Sequence, residues 1–513
     1  MKKIKHLVAV VLVMALAFTH SACSDWLEVY PQNNQVSDYY WSSKEEVEAM
    51  LNGCYHYLRE MVTSQLIPLG ELRAGQIFSR SGNTNLQEFR VKETDNISNW
   101  GPFYEVINVA NGVISNAEKV LSRDDTYDKN RLNAHKAEAY FLRALSYFYL
   151  VRNWKDVPLV LFPYEDDSQD YHIAQSDEAE VIAQIKKDLL TALESGAAKE
   201  YYVKAWENKG RATKWAIYAL LADVCLWSES YADAEKYCNL ILNSNSAYAP
   251  SFLATPSHSS WFSIFNPGNS NESILELQWS EEDEQLNDLP YLFDPSSSRR
   301  VYAYSKKMTE LFVEEYTHTQ QRMAEAVRTM YGGFYCNPPA AYLAAETGFV
   351  WKYFGSEVLT EKRTPEHYDP NFILYRTTEV ILMKAEALIM QGPERYSEAL
   401  ELIDQVRRRS NLSSTEIDPL NTTELELLEC LLNERATELA GEAKAWYDML
   451  RFGRRNDYQY KETFITARLL EFNKQASTSW FRSVLLDNNA LFLPVWEQEL
   501  ENNPLLVQNS YYE

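Results

Sequence analysis

Apolar side chains recur at helical spacing through most of the chain, and the clearest case is the segment Arg131–Arg152. Five of its apolar residues are spaced by four, three, four and three positions, which places them on one helical face: Ala137, Phe141, Ala144, Phe148 and Val151. Leu142, Leu145 and Tyr149 add a second apolar edge, so we predict a helix that is buried on two sides. Because proline cannot continue a helix, this one should end shortly before Pro158.

Four other segments have the same period and are predicted to be helices: Lys44–Arg59, Trp100–Leu121, Ser176–Ser195 and Thr423–Arg451. In the last one, Glu434, Arg435 and Glu438 lie three or four positions apart, within reach of one another on a helix. Charges of this kind, with Glu442 close by, are typical of a structural ion-pair network between packed helices. We therefore predict no acid–base role for them.

An internal repeat becomes visible when the chain is shifted by 165 residues. Five pairs of small or apolar positions then coincide: Ala222 with Ala387, Tyr231 with Tyr396, Ala234 with Ala399, Cys238 with Ile403, and Ile241 with Val406. Both predicted hairpins break at the same place, Ser228–Ser230 in one and Pro393–Arg395 in the other. Each unit is about 34 residues long, the period of tetratricopeptide repeats. Two unrelated amphipathic hairpins are the alternative.

The chain changes character between residues 249 and 370. Pro, Ser, Gly and Asn become frequent there, and short strand-like runs replace the helical period at Ile274–Trp279 and Phe349–Phe354. The segment Gly70–Asn99 and the tail from Leu491 have the same composition. We predict loop-rich segments laid on a helical scaffold, which is where binding sites usually lie.

The first 22 residues have the pattern of a bacterial lipoprotein signal. Met1–Lys5 is basic, and the apolar run Leu7–Phe18 is too short to span a bilayer comfortably. Two small residues then precede Cys23, although His20 stands where an aliphatic residue is usual. We predict cleavage before Cys23 and lipidation of its thiol. An ordinary secretory signal is the alternative.

Composition and motifs reduce the number of function classes that the sequence supports. The formal net charge of −24 disfavours nucleic acid and anionic lipid as partners, because both need clustered Lys and Arg. The sequence contains no GxGxxG, Walker, GxSxG or HxxxH pattern, and its six cysteines form no CxxC pair. The acidic run Glu281–Glu284 lacks the spacing of an EF-hand and is predicted to be a solvated loop. We predict no catalytic residue, no metal and no cofactor.

Four stretches of the chain carry a family resemblance: Cys23–Leu27 with Pro31, Ala137–Phe148 with Asp156–Val160, Asn433–Arg451, and Leu493–Asn509. In this order they are similar to the N-terminus, central helix, C-terminal signature and tail of the SusD/RagB proteins of Bacteroidetes. The resemblance covers the whole predicted mature chain.

The resemblance implies a mostly α fold, in which a tetratricopeptide-like helix-pair scaffold carries a loop-rich irregular binding region and a few short strands. It also implies a lipoprotein anchored in the outer membrane through Cys23 and facing the cell surface. Such a protein would capture oligosaccharide or polysaccharide and deliver it to a TonB-dependent SusC-like transporter. A peptide-capturing RagB-like protein and an unrecognised surface glycosidase are the alternatives, and we predict that the protein is not an enzyme.

Four regions follow along the chain. Residues 1–22 are the signal peptide, 23–248 an N-terminal helical region, 249–370 a loop-rich ligand-binding insertion, and 371–513 a C-terminal helical region with the tail.

Glycan binding needs exposed aromatic rings beside polar side chains, because rings cover the apolar face of a sugar and polar groups bind its hydroxyls. Ligand positions vary within the family, so the candidates rest on the residues alone: Arg73, Arg80, Asn83, Trp279, Tyr291, Tyr302 and Tyr304. Trp279 and Tyr291 are the strongest, since Asp288, Pro290 and Asp294 indicate an exposed loop around them. For each ring the alternative is local packing.

Overall fold

The structure is a computed structural model, which describes residues 40–79, 85–165, 169–256, 258–294, 302–318, 334–335, 349–356, 363–473 and 477–513. The predicted signal peptide and Cys23 lie outside the described residues, as do Arg80 and Asn83.

Helices form most of the described chain. In chain order they are α1 (Lys44–Met61), α2 (Gly101–Asn116), α3 (Lys129–Trp154), α4 (Glu178–Glu194), α5 (Glu207–Gly210), α6 (Lys214–Trp227), α7 (Tyr231–Leu242), α8 (His258–Phe262), α9 (Leu289–Phe293), α10 (Lys306–His318), α11 (Trp351–Phe354), α12 (Thr377–Ile389), α13 (Tyr396–Arg409), α14 (Glu424–Glu438), α15 (Ala445–Tyr458), α16 (Arg468–Phe472), α17 (Thr478–Val484) and α18 (Glu497–Asn502). None of these helices is both long and apolar enough to cross a bilayer.

Side-chain caps explain where several predicted helices begin. The Ser43 hydroxyl accepts from the backbone N–H of Glu46, whose carboxylate accepts in return from the backbone N–H of Ser43. Thr423 and Glu426 form the same capping box at the start of α14. Such reciprocal bonds satisfy N–H groups that have no partner inside a helix. The predicted helix Lys44–Arg59 is confirmed, and so is the predicted start at Thr423.

One predicted helix is wrong, because Thr423–Arg451 is two helices in the structure. α14 ends at Glu438 and α15 begins at Ala445. Between them the backbone has a φ of 81° at Gly441, a left-handed conformation that favours glycine. A side chain at Gly441 would also lie 2.8 Å from the Val350 side chain. The predicted strand Phe349–Phe354 is likewise cut short, since its last four residues form α11.

The predicted repeat is present as two helical hairpins. α6 packs against α7, α12 packs against α13, and α12 also packs against α7, so the two hairpins stack. The matched alanines Ala222, Ala387, Ala234 and Ala399 are fully buried at these contacts. The mostly α fold with tetratricopeptide-like helix pairs is confirmed.

The strands are short: β1 (Ile77–Ser79), β2 (Val157–Pro158), β3 (Gln175–Ser176), β4 (Ser273–Leu277), β5 (Tyr302–Tyr304), β6 (Phe334–Tyr335), β7 (Phe349–Val350) and β8 (Phe372–Arg376). Within the described ranges they pair antiparallel as β1–β5, β2–β3, β4–β8 and β6–β7. In the β4–β8 pair, Ser273 lies opposite Arg376 and Leu277 opposite Phe372. This pair anchors the loop-rich middle of the chain to the helical scaffold.

A cluster of three cations and three carboxylates is buried beneath the C-terminal helices. Their side chains are at most 1% exposed: Lys352, Arg376, Arg409, Glu272, Glu438 and Glu442. Arg376 lies at its centre, with Nε 2.8 Å from Glu442 and Nη1 2.9 Å from both Glu272 and Glu438. The equal number of charges of each sign allows the cluster to stay ionised away from water.

A second buried network continues from this cluster along α12, α14 and α15. Arg435 donates two hydrogen bonds of 2.8 Å to Asp448, and Arg451 does the same to Glu386. Arg407 binds Glu434 at 3.1 Å. The predicted structural role of these charges is confirmed by their burial between packed helices.

Candidate functional site

An open cleft lies where α1, α5 and the end of β4 meet. It consists of two adjoining cavities of about 990 and 340 Å³. Arg59 and Trp279 line both cavities and form the boundary between them. A cleft of this size, with aromatic and polar walls, is typical of a small-molecule or oligomer binding site.

The ring of Trp279 is held in place from two sides. The Trp279 backbone N–H donates to Asn371 Oδ1 at 3.0 Å, which fixes the chain where β4 ends. The Arg59 guanidinium lies 5.2 Å from the centre of the Trp279 ring and donates to Gln285 Oε1 at 2.7 Å. Burial lowers the pKa of Arg59, yet an arginine keeps its charge at neutral pH and attracts the ring face.

Two further aromatic rings, those of Tyr291 and Tyr368, line the smaller cavity. Tyr291 meets Tyr368 edge to face, with ring centres 4.5 Å apart and planes at 77°. Burial raises the pKa of Tyr368 to about 12, so its hydroxyl stays neutral. The Asn287 amide donates to the Pro370 carbonyl at 2.9 Å and ties the Tyr291 segment to the Tyr368 segment. The two rings therefore form a fixed wall.

Trp206 forms the opposite wall beside α5, and 47% of it is exposed. Gly210 allows Gln278 and the Trp206 ring to pack closely against the backbone of α5. A Cβ at this position would come within 2.6 Å of Gln278 and 3.1 Å of the Trp206 ring. Gln278 and Asn269 exchange two amide hydrogen bonds of 2.9 and 3.0 Å. Trp206 was not among the residues predicted from the sequence; the available sign was an aromatic residue between Lys204 and Glu207 in a polar segment.

A buried carboxylate supports this wall from behind. Glu276 accepts from the backbone N–H of Asn269 at 3.0 Å and from the side-chain amide of Asn371 at 2.8 Å. Burial raises its pKa. The loop turns at Gly268, where φ is 82° and a side chain would press on Glu276 and Asn371. Glu276 thus joins the loop, β4 and the segment before β8 into one support.

The cleft has an acidic rim. Six carboxylates line it: Glu60, Glu281, Glu282, Asp283, Asp288 and Asp369. Of its arginines, Arg211 is bound in two hydrogen bonds by the buried Glu138, at 2.7 and 3.0 Å, which leaves Arg59 facing the rim. Residues 281–284 are exposed, so the predicted solvated loop is confirmed. The rim therefore disfavours an anionic ligand.

The predicted ligand residues separate into three groups. Trp279 and Tyr291 come together in the cleft, as described above. Arg73, Tyr302 and Tyr304 are buried, at 1%, 8% and 0% exposure, and offer a ligand no accessible face. Arg73 donates to the Leu491 carbonyl at 2.8 Å and lies over the Trp446 ring. Arg80 and Asn83 lie outside the described residues, as does the predicted lipidation site Cys23.

Tyr302 and Tyr304 are buried because β5 pairs with β1. Tyr304 packs against Phe312, with ring centres 5.2 Å apart, and Tyr302 packs against Phe293 at 6.1 Å. Local packing, the alternative considered for each ring, describes both residues. We leave these two and Arg73 out of the candidate site.

The structure also bears on metal and thiol chemistry. In the described part of the chain, His, Cys, Asp and Glu side chains nowhere gather in threes in a way that could hold a metal ion. Cys54, Cys225 and Cys238 are free thiols. Burial raises the pKa of Cys54, Cys225 and Cys238, which makes them poor nucleophiles.

Two family models match the chain. One describes the SusD family and covers residues 271–512; the other is described as starch-binding associating with outer membrane and covers residues 25–226. The chain belongs to the SusD/RagB family. It is similar to SusD-like protein P2 of Formosa agariphila, with 25% identity over 470 residues that cover 85% of this chain and 89% of that protein.

Solved structures of this family share the fold. A SusD superfamily protein from Bacteroides thetaiotaomicron matches with a TM-score of 0.70 and 23% identity, over 92% of this chain and 99% of that one. A protein described as a laminarin-binding SusD-like protein matches with a TM-score of 0.66 and 22% identity, over 91% and 99%. At such identities the likeness establishes the architecture and leaves ligand specificity to the cleft itself.

Proposed function

We propose that this SusD/RagB protein binds a neutral glycan in the cleft and delivers it to a TonB-dependent SusC-like transporter at the cell surface. The observation that carries this proposal is the Trp279 ring, held by Arg59 between two cavities and faced by further rings. In this proposal the protein binds its glycan without cleaving it.

The lining chemistry favours a glycan over other small molecules. The rings of Trp279, Tyr291 and Trp206 provide flat apolar faces for the C–H groups of sugar rings, and each lines the cleft. The exposed amide of Asn52 stands among them and suits hydroxyl groups. The laminarin-binding relative of the same fold is in keeping with a glycan ligand.

The acidic rim favours a neutral glycan over an anionic one. Carboxylates or sulfates on a polysaccharide would approach Glu281, Glu282 and Asp283, and like charges at an exposed surface repel by about 1 kcal/mol or less per close pair. Hydroxyl groups carry no such cost and can donate hydrogen bonds to the same carboxylates.

Titration calorimetry on soluble protein that starts at Ser24 tests the proposal. The ligand panel holds neutral glycans, a carboxymethylated form of each, and a peptide digest. Trp279→Ala should weaken glycan binding about tenfold or more, as expected when a central aromatic contact is removed. Trp480→Ala is a matched control, since the Arg90 guanidinium lies 4.4 Å from the Trp480 ring outside the cleft.

The panel also separates the alternatives. Binding of the peptide digest in place of glycans would identify a peptide-capturing protein. Release of reducing ends from a bound glycan would identify a glycosidase, and equal affinities of Trp279→Ala and Trp480→Ala would remove the cleft as the binding site.

Membrane attachment and delivery form a separate part of the proposal. We propose that Cys23 carries the lipid, on the strength of the signal pattern and of the family model described as associating with outer membrane. Cys23→Ser should release the protein from outer-membrane fractions. Native purification should bring down a large β-barrel transporter, and its consistent absence would contradict delivery by direct contact.

A further inference from the structure

A stacked pair of exposed tyrosines lies next to the cleft. The rings of Tyr201 and Tyr248 are 4.0 Å apart and nearly parallel, at 12°. They are 45% and 51% exposed. In such a stack each ring covers one face of the other and leaves its outer face open. Two large rings kept partly in water at one place are unusual on a surface and often serve in recognition.

Tyr248 lines a recess of about 260 Å³ that adjoins the cleft. Asn269 lines both the recess and the larger cavity of the cleft. α5 separates the two: Trp206 and Gly210 line the cleft, whereas Asn208 and Lys209 line the recess. A ligand that leaves the cleft beside Trp206 therefore meets the recess after passing a single helical turn.

The polar groups of the recess suit hydroxyls. Asn271 is exposed, and among the described residues its side-chain amide has no hydrogen-bond partner. Glu200 is neutralised by Lys214 at 2.9 Å. Lys209 donates to the Ser273 carbonyl, and burial lowers its pKa to about 8. The recess thus offers an amide and an aromatic face, with the Lys209 ammonium turned to the Ser273 carbonyl.

We infer that the recess is a second glycan-binding site, in which Tyr248 supports a sugar ring and Asn271 binds its hydroxyls. Tyr201 is a positioning residue: its ring stacks on the Tyr248 ring and holds that ring in place. The inference rests on the proposed function and extends it: one linear, neutral chain occupies the cleft, crosses α5 and reaches Tyr248. Binding of the second segment is then intramolecular, so affinity rises with chain length.

A second stacked pair provides a control. The rings of Tyr164 and Tyr171 are 4.6 Å apart at 22°, and Tyr171 is 47% exposed. Their cavity of about 220 Å³ shares no lining residue with the cleft or with the recess. Tyr171→Ala therefore removes an exposed ring stack of the same kind, at a place that the glycan does not reach.

The test measures affinity for oligosaccharides of increasing length, cut from a glycan that the cleft binds. Tyr248→Ala should bind the shortest oligosaccharides like the wild type and the longest about tenfold more weakly. Tyr201→Ala should show the same length-dependent loss, and Tyr201→Phe, which keeps the stack, should restore wild-type affinity. Tyr171→Ala should match the wild type at every length. Thermal melting checks that each variant is folded.

The two proposals fail in different ways. Should Trp279→Ala leave short oligosaccharides bound as before, the cleft is not the primary site and the proposed function is lost with it. Should Trp279→Ala abolish short-chain binding while Tyr248→Ala binds long chains like the wild type, only the second site is overturned. An equal loss for Tyr248→Ala at every length would also overturn it.

Discussion

The two ends of the β4–β8 pair have opposite chemistry. At one end, Glu272 and Arg376 belong to a fully buried ion cluster; at the other, Trp279 lines an open cleft and its backbone is held by the buried Asn371. The buried end has the charged residues that resemble catalytic machinery, yet no ligand can reach them. At the open end, most of the charged side chains lie on the rim of the cleft. Access to solvent therefore indicates the functional end better than the density of ionisable groups does.

The largest expected difference between the two ends is in stability. Arg376→Met would leave Glu442, Glu272 and Glu438 short of their central cation, and breaking a buried pair in this way costs about 3–5 kcal/mol. Denaturant unfolding measures the loss. Glycan affinity of the folded fraction should stay within about threefold of wild type, because the variant does not touch the cleft.

Arg395→Met is the matched control for that change. Arg395 also binds two carboxylates, Glu235 and Glu398, but its side chain is 27% exposed. Partly exposed pairs are worth about 1 kcal/mol or less. Equal losses for Arg376→Met and Arg395→Met would contradict the importance given to burial.

The next largest effect concerns pH at the buried end. Glu71 is fully buried and accepts from the backbone N–H of Lys444 at 3.3 Å; burial raises its pKa to about 8 from 4.5. The folded state then holds a proton that the unfolded state releases, so this group makes stability fall as pH rises from about 4.5 through about 8. Glu71→Gln should remove that fall and add about 3 kcal/mol near neutral pH.

Glu442, a member of the buried ion cluster, shows the opposite behaviour and serves as the reference. Burial alone would raise its pKa, but Arg376 and Lys352 outweigh burial and hold the pKa at about 2. Its contribution is present above about pH 4.5 and is lost as pH falls towards about 2. Acid unfolding should therefore be the same in wild type and Glu71→Gln. A change on the acid side alone would contradict the assignment of Glu71.

A smaller effect is expected at the open end from Arg59. Arg59→Leu removes the cation above the Trp279 ring and the hydrogen bond to Gln285, while the ring itself remains. An exposed cation–π contact is worth about 0.5–1 kcal/mol, so glycan affinity should fall about twofold to fivefold. Calorimetry measures the affinity and unfolding should hardly change. A loss as large as that of Trp279→Ala would mean that Arg59 contacts the ligand directly.

The smallest effect is the contribution of the rim charges. The double change Glu282→Gln with Asp283→Asn should raise affinity for a carboxymethylated glycan about twofold to threefold at low salt. Affinity for the neutral parent should not change. The gain should shrink as ionic strength increases, and a gain that is insensitive to salt would point to altered contacts instead of charge.

Periodic features of the fold could be predicted from the sequence, and features set by distant contacts could not. The hairpin repeat and the helix ending at Trp154 follow from apolar spacing, which each segment carries by itself. The break at Gly441 was missed because apolar and charged spacing continue across it. Glycine is required there by a left-handed φ and by the approach of Val350, which is distant in the sequence.

The same distinction applies to the candidate site. Trp279 and Tyr291 were predicted because turn residues beside them indicate an exposed loop. Arg59 was missed, since α1 reads as an ordinary amphipathic helix and its partner Gln285 lies 226 positions away. Arg73 was predicted wrongly to be accessible: it is buried against the Leu491 carbonyl, 418 positions away. Whether such residues are exposed or buried is decided by contacts with segments that are far away in the sequence.

The five-residue length of β4 has a consequence for how new specificities arise in this scaffold. One strand pair spans the distance between the ion cluster and the cleft, so residues after Leu277 are fixed in position; among the described residues, Trp279 makes no hydrogen bond or ion pair with the cluster. Substitutions around Trp279 then change what is recognised while the folding free energy stays nearly constant. Aromatic rings and rim charges of the cleft can then be substituted during evolution without loss of the buried core. One core can therefore carry many different recognition surfaces.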